Sequence, residues 1–173
     1  MARANNPLDR FAKDIAPGTL QWIGVRTQRR TPMTEVKEVE AIAECGLKGD
    51  HRTSRTPGSA RQVTIISREF IQQIAHFMNV DDIEPGLLRR NLVVAGVNLN
   101  ALRYQQFSIG NAVFEANAQC HPCSRMESAL GKGGVAAMLG HGGLCARILQ
   151  SGTIRIGDSL IVNKKGLNHD LFD

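Results

Sequence analysis

The chain has 173 residues, enough for one domain with a sizeable core, and its 42% hydrophobic and 21% charged residues exclude a disordered protein. No stretch reaches the ~20 apolar residues of a membrane span and no apolar leader begins the chain, so we expect a cytoplasmic protein whose four cysteines are thiols. The net charge of +5 favours anionic ligands, but one Trp and one Tyr are too few for the base-stacking surfaces of a nucleic-acid binder.

Local patterns in the first half predict strands around one clear helix. Residues 1–18 are polar and broken by prolines, so we expect an N-terminal arm before a domain over 19–163. Alternating or β-branched residues predict strands over 20–26, 33–43 and 61–66. Apolar residues at helical spacing predict a helix over 67–79 with Ser67 as its N-cap.

The second half is dominated by short strand signals. Ser124 followed by Glu127 reads as a capping box that opens a short helix through Leu130, and a further helical turn is expected over 135–139. A polar tail begins at Lys164. Many short strands with turn signals and few helices predict a mainly β domain, either a barrel or a sandwich; the strands are predicted over 92–95, 106–109, 112–117, 144–149, 153–156 and 159–162.

Cys123 is the candidate reactive residue. It lies at the predicted start of the helix that follows Pro122, where backbone N–H groups and the positive end of the helix dipole favour an anion, and His121 and Arg125 add positive charge. A cysteine in these surroundings suits a nucleophile, a persulfide carrier or a soft-metal ligand. An inert, buried cysteine is the competing interpretation.

Two basic stretches are candidates for anion binding. The glycine-punctuated loop over 44–52 carries Lys48, His51 and Arg52, and the strand over 92–95 is preceded by two arginines and Asn91. Guanidinium groups bind phosphate oxygens in a bidentate way. Solvated loops and strand ends are the alternative interpretation of both stretches.

Several stretches in a fixed order resemble the MOSC domain, a module found at the carboxyl end of molybdenum-cofactor sulfurases and as stand-alone bacterial proteins. The order is more specific than any single piece. The matching pieces are Gly46-Leu47-Lys48-Gly49-Asp50-His51, the stretch over 61–69, the stretch over 91–97, Pro122-Cys123, and the stretches over 142–148 and 152–158.

The resemblance implies a closed β-barrel-like fold and a function around the molybdenum cofactor. In the family the reactive cysteine follows the proline of this motif, which here makes Cys123 the catalytic residue and the molybdenum ligand. The pterin of this cofactor ends in a phosphate, so a basic pocket is implied, and its candidate residues are Lys48, His51, Arg52, Arg61, Arg90, Asn91, Arg125 and Arg147.

The sequence departs from the family pattern at three points. Arg89-Arg90 stands where a glycine and an acidic residue often precede the family's asparagine. We expect neither the N-terminal barrel domain of amidoxime-reducing relatives nor an iron–sulfur module in this chain. A reductase would therefore need an external electron donor.

The resemblance favours a molybdenum-cofactor-dependent enzyme that reduces N-hydroxylated bases or amidoxime-type small molecules. The first alternative is a sulfur transferase that carries a persulfide on Cys123 and receives it from a sulfur donor protein. The second is a small zinc module built from Cys120, Cys123, His141 and Cys145. We expect no membrane or nucleic-acid partner, and we allow for a homodimer.

Overall fold

The computed structural model describes residues 9–55 and 57–163. Most of the predicted arm over 1–18 and the predicted tail over 164–173 therefore lie outside the described residues. The described residues contain eleven strands: β1 (Gly18–Val25), β2 (Thr34–Glu35), β3 (Glu38–Ile42), β4 (Gly46–Leu47), β5 (Val63–Ser67), β6 (Leu92–Ala95), β7 (Gln106–Ile109), β8 (Ala112–Gln119), β9 (Leu144–Gln150), β10 (Gly152–Arg155) and β11 (Ser159–Val162).

The helices of the described residues are short, and all except the first lie between strands. Two 3-10 helices, Pro85–Leu88 and Leu99–Leu102, flank β6. No helix within the described ranges is long and apolar enough to cross a membrane. The α-helices are α1 (Asp9–Ala12), α2 (Arg68–Met78), α3 (Ser124–Leu130) and α4 (Gly134–Met138).

A closed, mixed β-barrel of seven strands organises the chain, which confirms the predicted fold class. The order around the ring is β1-β6-β5-β9-β8-β7-β11, and β11 pairs back onto β1 through Gly18 opposite Leu160 and Thr19 opposite Ser159. Only β5 and β6 in this ring run parallel. The parallel pair requires a crossover connection, which α2 supplies.

The barrel interior and the layer under the helices form two separate cores. The interior is filled by inward-facing side chains of every barrel strand, with Phe107 and Phe114 stacked at a centroid distance of 5.5 Å. A second cluster joins α2 and α4 to the outer barrel wall through residues such as Ile66, Ile74 and Met138. β5 and β6 are buried on both faces, as expected for a parallel pair covered by helices.

The prediction of the helix over 67–79 is confirmed. Ser67 is the N-cap, because its hydroxyl accepts a hydrogen bond from the Phe70 amide at 3.1 Å. Asn79 ends the helix in a left-handed conformation with φ 55°. Both ends therefore follow from local side-chain chemistry.

The single strand predicted over 33–43 is wrong, because the chain changes sheets in the middle of this stretch. β2 pairs with β1, whereas β3 pairs with β10 and β4 in a separate three-stranded sheet. The predicted loop over 44–52 contains β4, which pairs with the end of β3. Alternating residues predict an extended chain but do not identify its partner strand. The change of partner between β2 and β3 could therefore not be predicted from the pattern.

Candidate functional site

Cys123 lies in the loop that connects β8 to α3, and its side chain is exposed. The start of this loop is fixed by the Cys120 amide, which donates to the Gly143 carbonyl at 2.8 Å. Its end is fixed by the Cys123 carbonyl, which accepts from the Met126 amide at 2.8 Å. The interpretation of Cys123 as a buried cysteine is therefore wrong, whereas its reactivity stays a prediction.

The predicted capping box at Ser124 is also wrong. Helix α3 begins at Ser124, so Cys123 occupies the N-cap position, and no side chain caps the helix there. This shift moves Glu127 one residue too far into the helix to complete a box. Its carboxylate instead accepts hydrogen bonds from the amides of Gly133 at 2.7 Å and Val135 at 2.9 Å, at the start of α4. These two donors lower the pKa of Glu127.

A cavity of about 610 Å³ lies beside the helix that follows Cys123. One wall is formed by Arg125, Ser128 and Ala129 of α3. This volume falls in the range of small-molecule and cofactor sites. The remaining lining residues come from the chain around β1 and β2 and from the segment that precedes β6: Trp22, Arg30, Thr31, Pro32, Met33, Glu35, Glu84, Gly86, Leu87 and Arg89.

Arg89 belongs to the predicted basic stretch before β6, but the set of cofactor-binding candidates did not include it. Its Nη2 atom is buried and has no hydrogen-bond partner among the described residues. Burial lowers the pKa of Arg89, repulsion from Arg125 and Arg90 lowers it further, and the nearby Cys123 acts in the opposite direction. A buried guanidinium nitrogen with an unused donor favours an anionic ligand. Arg89 therefore joins Cys123 and Arg125 in one electrostatic environment.

Arg90 differs from Arg89 in its hydrogen-bond partners, although the sequence predicts both as anion-binding residues. The buried Arg90 guanidinium donates to the carbonyls of Gly142 at 2.7 Å, Leu88 at 2.9 Å and Cys120 at 3.1 Å. Three loops are thereby held together at the barrel end. One of these loops carries Cys123, so Arg90 positions the site by bracing its backbone.

Asn91 is buried, and each side-chain polar atom has hydrogen-bond partners. Its Oδ1 accepts from the amide and the hydroxyl of Thr64, at 3.1 and 3.0 Å. Its Nδ2 donates to the Gly24 carbonyl at 3.1 Å and to Asp50 Oδ2 at 3.2 Å. Asn91 thus ties β1, β5 and the loop after β4 together.

The loop after β4 presents His51 beside a buried carboxylate. Asp50 accepts from the backbone amides of Arg26 at 3.2 Å and Arg52 at 3.0 Å, and it lies 3.1 Å from His51 Nδ1. Burial lowers the pKa of His51, Asp50 raises it, and Arg52, Arg55 and Arg29 lower it again. The net direction favours a neutral imidazole.

Arg52 and Arg61 lie together near Cys120. The Arg52 guanidinium donates through Nη1 to the Arg61 carbonyl at 3.1 Å. The hydrogen bond from Cys145 is the main cause of the lowered pKa of the half-buried Cys120, and Arg52 and Arg61 lower it further. The positive charge around the loop therefore has two parts, with Arg89 and Arg125 in one and Arg52 and Arg61 in the other.

Lys48 and Arg147 are paired with carboxylates away from the cavity beside α3. Lys48 Nζ lies 3.1 Å from Glu40 Oε2, is 70% exposed and borders a separate cavity of about 330 Å³. Arg147 Nε lies 3.6 Å from Glu115 Oε1, across the β8 and β9 pair. The structure does not bring these two residues to Arg89.

The donor set of the predicted zinc module is not assembled. Within residues 9–55 and 57–163, no three His, Cys, Asp or Glu side chains come together as metal ligands. His141 packs edge-on against Phe70 and Phe77, with its Nδ1 3.1 Å from the Leu139 carbonyl. Zinc binding by Cys120, Cys123, His141 and Cys145 is therefore not supported.

Comparison with known proteins adds a family match and a fold match. The model of a family described as the MOSC domain matches residues 52–161. The YuaD protein from Bacillus subtilis is similar with a TM-score of 0.73 and 19% identity, over 86% of this chain and 96% of that chain. YiiM from Geobacillus stearothermophilus is similar with a TM-score of 0.68 and 16% identity, over 87% and 77% of the two chains.

A third structure gives the same picture. YiiM from Escherichia coli is similar with a TM-score of 0.66 and 17% identity, over 86% of this chain and 71% of that chain. At these identities the likeness shows the fold alone. No sequence among the curated proteins matches the chain.

Proposed function

Because the chain belongs to the MOSC domain family, which is associated with the molybdenum cofactor, we propose that it binds this cofactor with the Cys123 sulfur as the molybdenum ligand. The proposed activity is the reduction of an N-hydroxylated base or an amidoxime. The single observation that carries the proposal is the buried, unpartnered Arg89 Nη2 beside an exposed thiol. An exposed thiol can supply a sulfur ligand to molybdenum, and an unpartnered guanidinium nitrogen can donate to the cofactor's phosphate.

The residues of the cavity beside α3 fit the group. Arg30, Arg89 and Arg125 offer guanidinium donors to phosphate oxygens. Glu35 and Glu84 offer acceptors to the N–H groups at the edge of a pterin ring. Trp22 and Leu87 form an apolar part of the cavity wall. The cavity volume of about 610 Å³ accommodates a pterin with its side chain.

The cofactor, when bound, supplies two-electron redox chemistry at molybdenum. The chain contributes the means to hold and orient it. The Cys123 thiolate provides a soft donor that protein oxygen and nitrogen ligands cannot replace. Arg90 keeps the cysteine loop in place through the Cys120 carbonyl, and Asn91 fixes the adjacent strands.

The overall reaction needs a partner. Conversion of an N-hydroxyl group to an amine or amidine consumes two electrons and two protons and releases water. We propose that an external electron-donor protein supplies the electrons. The positive charge of the chain, +5 overall, suits an acidic donor.

The test separates metal content from pterin content. The full chain is produced in a host that makes the molybdenum cofactor, then analysed for molybdenum by mass spectrometry and for pterin by its fluorescent oxidation product. The wild type should hold both in equal amounts. Cys123→Ala should lose molybdenum, and Arg89→Gln should lose pterin and molybdenum together.

Arg155→Gln is the matched control, because Arg155 is exposed, pairs with Glu38 at 2.7 Å and does not line the cavity. It should retain both components at the wild-type level. A wild-type protein without molybdenum or pterin overturns the proposal. Production in a host that cannot make the cofactor gives the background.

The exposure of Cys123 also favours a second candidate function, a sulfur carrier. A persulfide must reach its acceptor, which an exposed sulfur allows. After incubation with a cysteine desulfurase and cysteine, the peptide that contains Cys123 should gain ~32 Da, the mass of one sulfur atom. A gain without bound molybdenum supports the carrier over the reductase, and an unmodified peptide contradicts the carrier.

A further inference from the structure

Cys120 and Cys145 form a thiol pair at the end of the barrel, separate from the exposed Cys123. The Cys145 thiol donates a hydrogen bond to the Cys120 sulfur. Cys145 is only 2% exposed, whereas Cys120 is half-buried and so gives the pair its route to solvent. Within the described residues, the fourth cysteine, Cys45, is free and lies on the turn before β4.

The backbone brings the two sulfurs together. Ala118 is opposite Cys145 and Gln119 is opposite Leu144 in the pairing of β8 with β9, and the Cys120 amide continues this ladder to the Gly143 carbonyl at 2.8 Å. Side chains two residues apart on a strand share a face. Cys120 therefore lies one position beyond the Gln119–Leu144 pair and diagonally across from Cys145.

Three arginines surround the pair. Arg90 Nη2 donates to the Cys120 carbonyl at 3.1 Å, and Arg52 and Arg61 act on both sulfurs. The hydrogen bond from Cys145 lowers the pKa of Cys120 to about 6, burial opposes this, and the arginines support it. The same hydrogen bond raises the pKa of Cys145. The Cys120 sulfur is thus favoured as a nucleophilic thiolate, whereas the Cys145 thiol keeps its proton.

We propose that Cys120 and Cys145 are a redox-active dithiol that hydroperoxides convert to a disulfide. The Cys120 thiolate attacks one peroxide oxygen, an S–O bond forms, the O–O bond breaks, and the departing oxyanion takes a proton from water. The Cys145 sulfur then attacks the Cys120 sulfur, an S–S bond forms, the S–O bond breaks, and hydroxide leaves with the Cys145 proton as water. The two sulfurs lose two electrons and the hydroperoxide is reduced to an alcohol and water.

The peroxide is the fitting oxidant because it is small enough for a half-buried sulfur. Arginine side chains also stabilise the negative charge that develops on the departing oxygen. A hydrogen-bonded thiol partner ready to resolve the sulfenic acid is the arrangement of reversible cysteine oxidation. The disulfide would lock the end of β8 to β9, three residues before Cys123.

The experiment maps the disulfide on the full chain. The reduced wild type is treated with one equivalent of hydrogen peroxide, free thiols are blocked with N-ethylmaleimide, and the protein is cut with trypsin without reduction. The fragment over 104–125 contains Cys120 and Cys123, and the fragment over 133–147 contains Cys145. The expected product is these two fragments joined, with Cys123 blocked by maleimide.

Three variants make the assignment specific. Cys123→Ser should keep the joined fragments, and Cys120→Ser should lose them. Cys145→Ala should leave Cys120 as a sulfenic acid that dimedone traps, which needs no disulfide to form. The proposal is overturned by a bridge between Cys120 and Cys123 inside the fragment over 104–125, or by oxidation of Cys120 beyond the sulfenic acid while Cys145 stays free in the wild type.

Discussion

Arg89 and Arg90 are adjacent residues whose guanidinium groups have opposite surroundings. Arg90 satisfies three backbone carbonyls, whereas Arg89 Nη2 is buried with no hydrogen-bond partner among the described residues. Removal of the Arg90 guanidinium leaves three backbone carbonyls without their hydrogen-bond donor. Removal of the Arg89 Nη2 group breaks no hydrogen bond among the described residues. The two substitutions therefore separate a structural arginine from a binding arginine.

We predict that Arg90→Met lowers the free energy of unfolding by about 2–5 kcal/mol, because buried carbonyls without donors each cost about 1–3 kcal/mol. Arg89→Met should change it by less than about 0.5 kcal/mol in the cofactor-free protein, since a buried cation without a partner adds no stability. Urea unfolding followed by circular dichroism measures both. A larger loss for Arg89→Met than for Arg90→Met would contradict the assignment.

The thiol pair gives a prediction of reactivity against pH. The rate at which iodoacetamide modifies Cys120 should rise through a midpoint near 6, the lowered pKa of this thiol. In Cys145→Ala the midpoint should move upward, because the hydrogen bond that stabilises the thiolate is gone. Mass spectrometry of the fragment over 104–125 in a Cys123→Ser background reports Cys120 alone. Equal midpoints with and without Cys145 would contradict the role of the hydrogen bond.

At the scale of elements, Glu127 joins α3 to α4. Its carboxylate accepts the amides of Gly133 and Val135, so the helix that follows Cys123 is held to the next one. The pKa of Glu127 is lowered in the folded state, so its contribution to stability is present above the unfolded pKa of ~4.3 and is lost as the pH falls through the lower folded value.

We predict that Glu127→Gln lowers the urea midpoint at pH ~7, where the carboxylate is ionised. The wild type should lose its advantage over Glu127→Gln as the pH falls from ~5 toward ~3. Parallel urea titrations of the two proteins at each pH measure this difference. A difference that stays constant over this range would show that the carboxylate charge is not what joins the helices.

The turn between α4 and β9 depends on a close approach of two backbones. Gly143 has φ +86°, and an added Cβ would collide with the carbonyl oxygen of Ile65 on the neighbouring strand. Gly140, three residues earlier, has φ +78° but nothing within 4 Å of an added Cβ. The two glycines thus share the backbone conformation and differ in the available space.

We predict that Gly143→Ala costs more than about 3 kcal/mol, because a backbone-to-backbone collision cannot relax without separating β9 from β5. Gly140→Ala should cost only about 1–2 kcal/mol, the penalty of the left-handed conformation. Thermal unfolding of both variants measures the difference. Similar losses would mean that the conformation alone, and not the contact with Ile65, requires the glycine.

At the scale of the whole molecule, stability depends on closure of the barrel by β11. This strand pairs with both β7 and β1, and Leu160 is fully buried in the interior while Ile161 is 52% exposed. We predict a loss of about 2–5 kcal/mol for Leu160→Ala and within about 0.5 kcal/mol for Ile161→Ala. Chemical denaturation measures both. A small loss for Leu160→Ala would mean that the ring does not rely on this strand.

The sequence was most informative for features that depend on residues close to them in the chain. The cap at Ser67 and the left-handed end at Asn79 follow from local side chains, so the limits of α2 were predictable. The predicted cap at Ser124 was wrong because Cys123 occupies the N-cap position, and the Glu127 carboxylate accepts from Gly133 and Val135, six and eight residues further along the chain. The Glu127 carboxylate could accept hydrogen bonds from the start of α3 or from the start of α4. The capping-box pattern includes only the start of α3.

By itself, the sequence determined that this is a mainly β chain of the MOSC domain family with a candidate reactive cysteine at position 123. Strand alternation, turn glycines and ordered motifs are properties of short stretches, and they are readable in one dimension. Only the tertiary structure decided which of two adjacent arginines has an unsatisfied donor and that Cys120 meets Cys145. Both depend on the register and closure of strands far apart in the chain, which set the burial and the partners of each polar group.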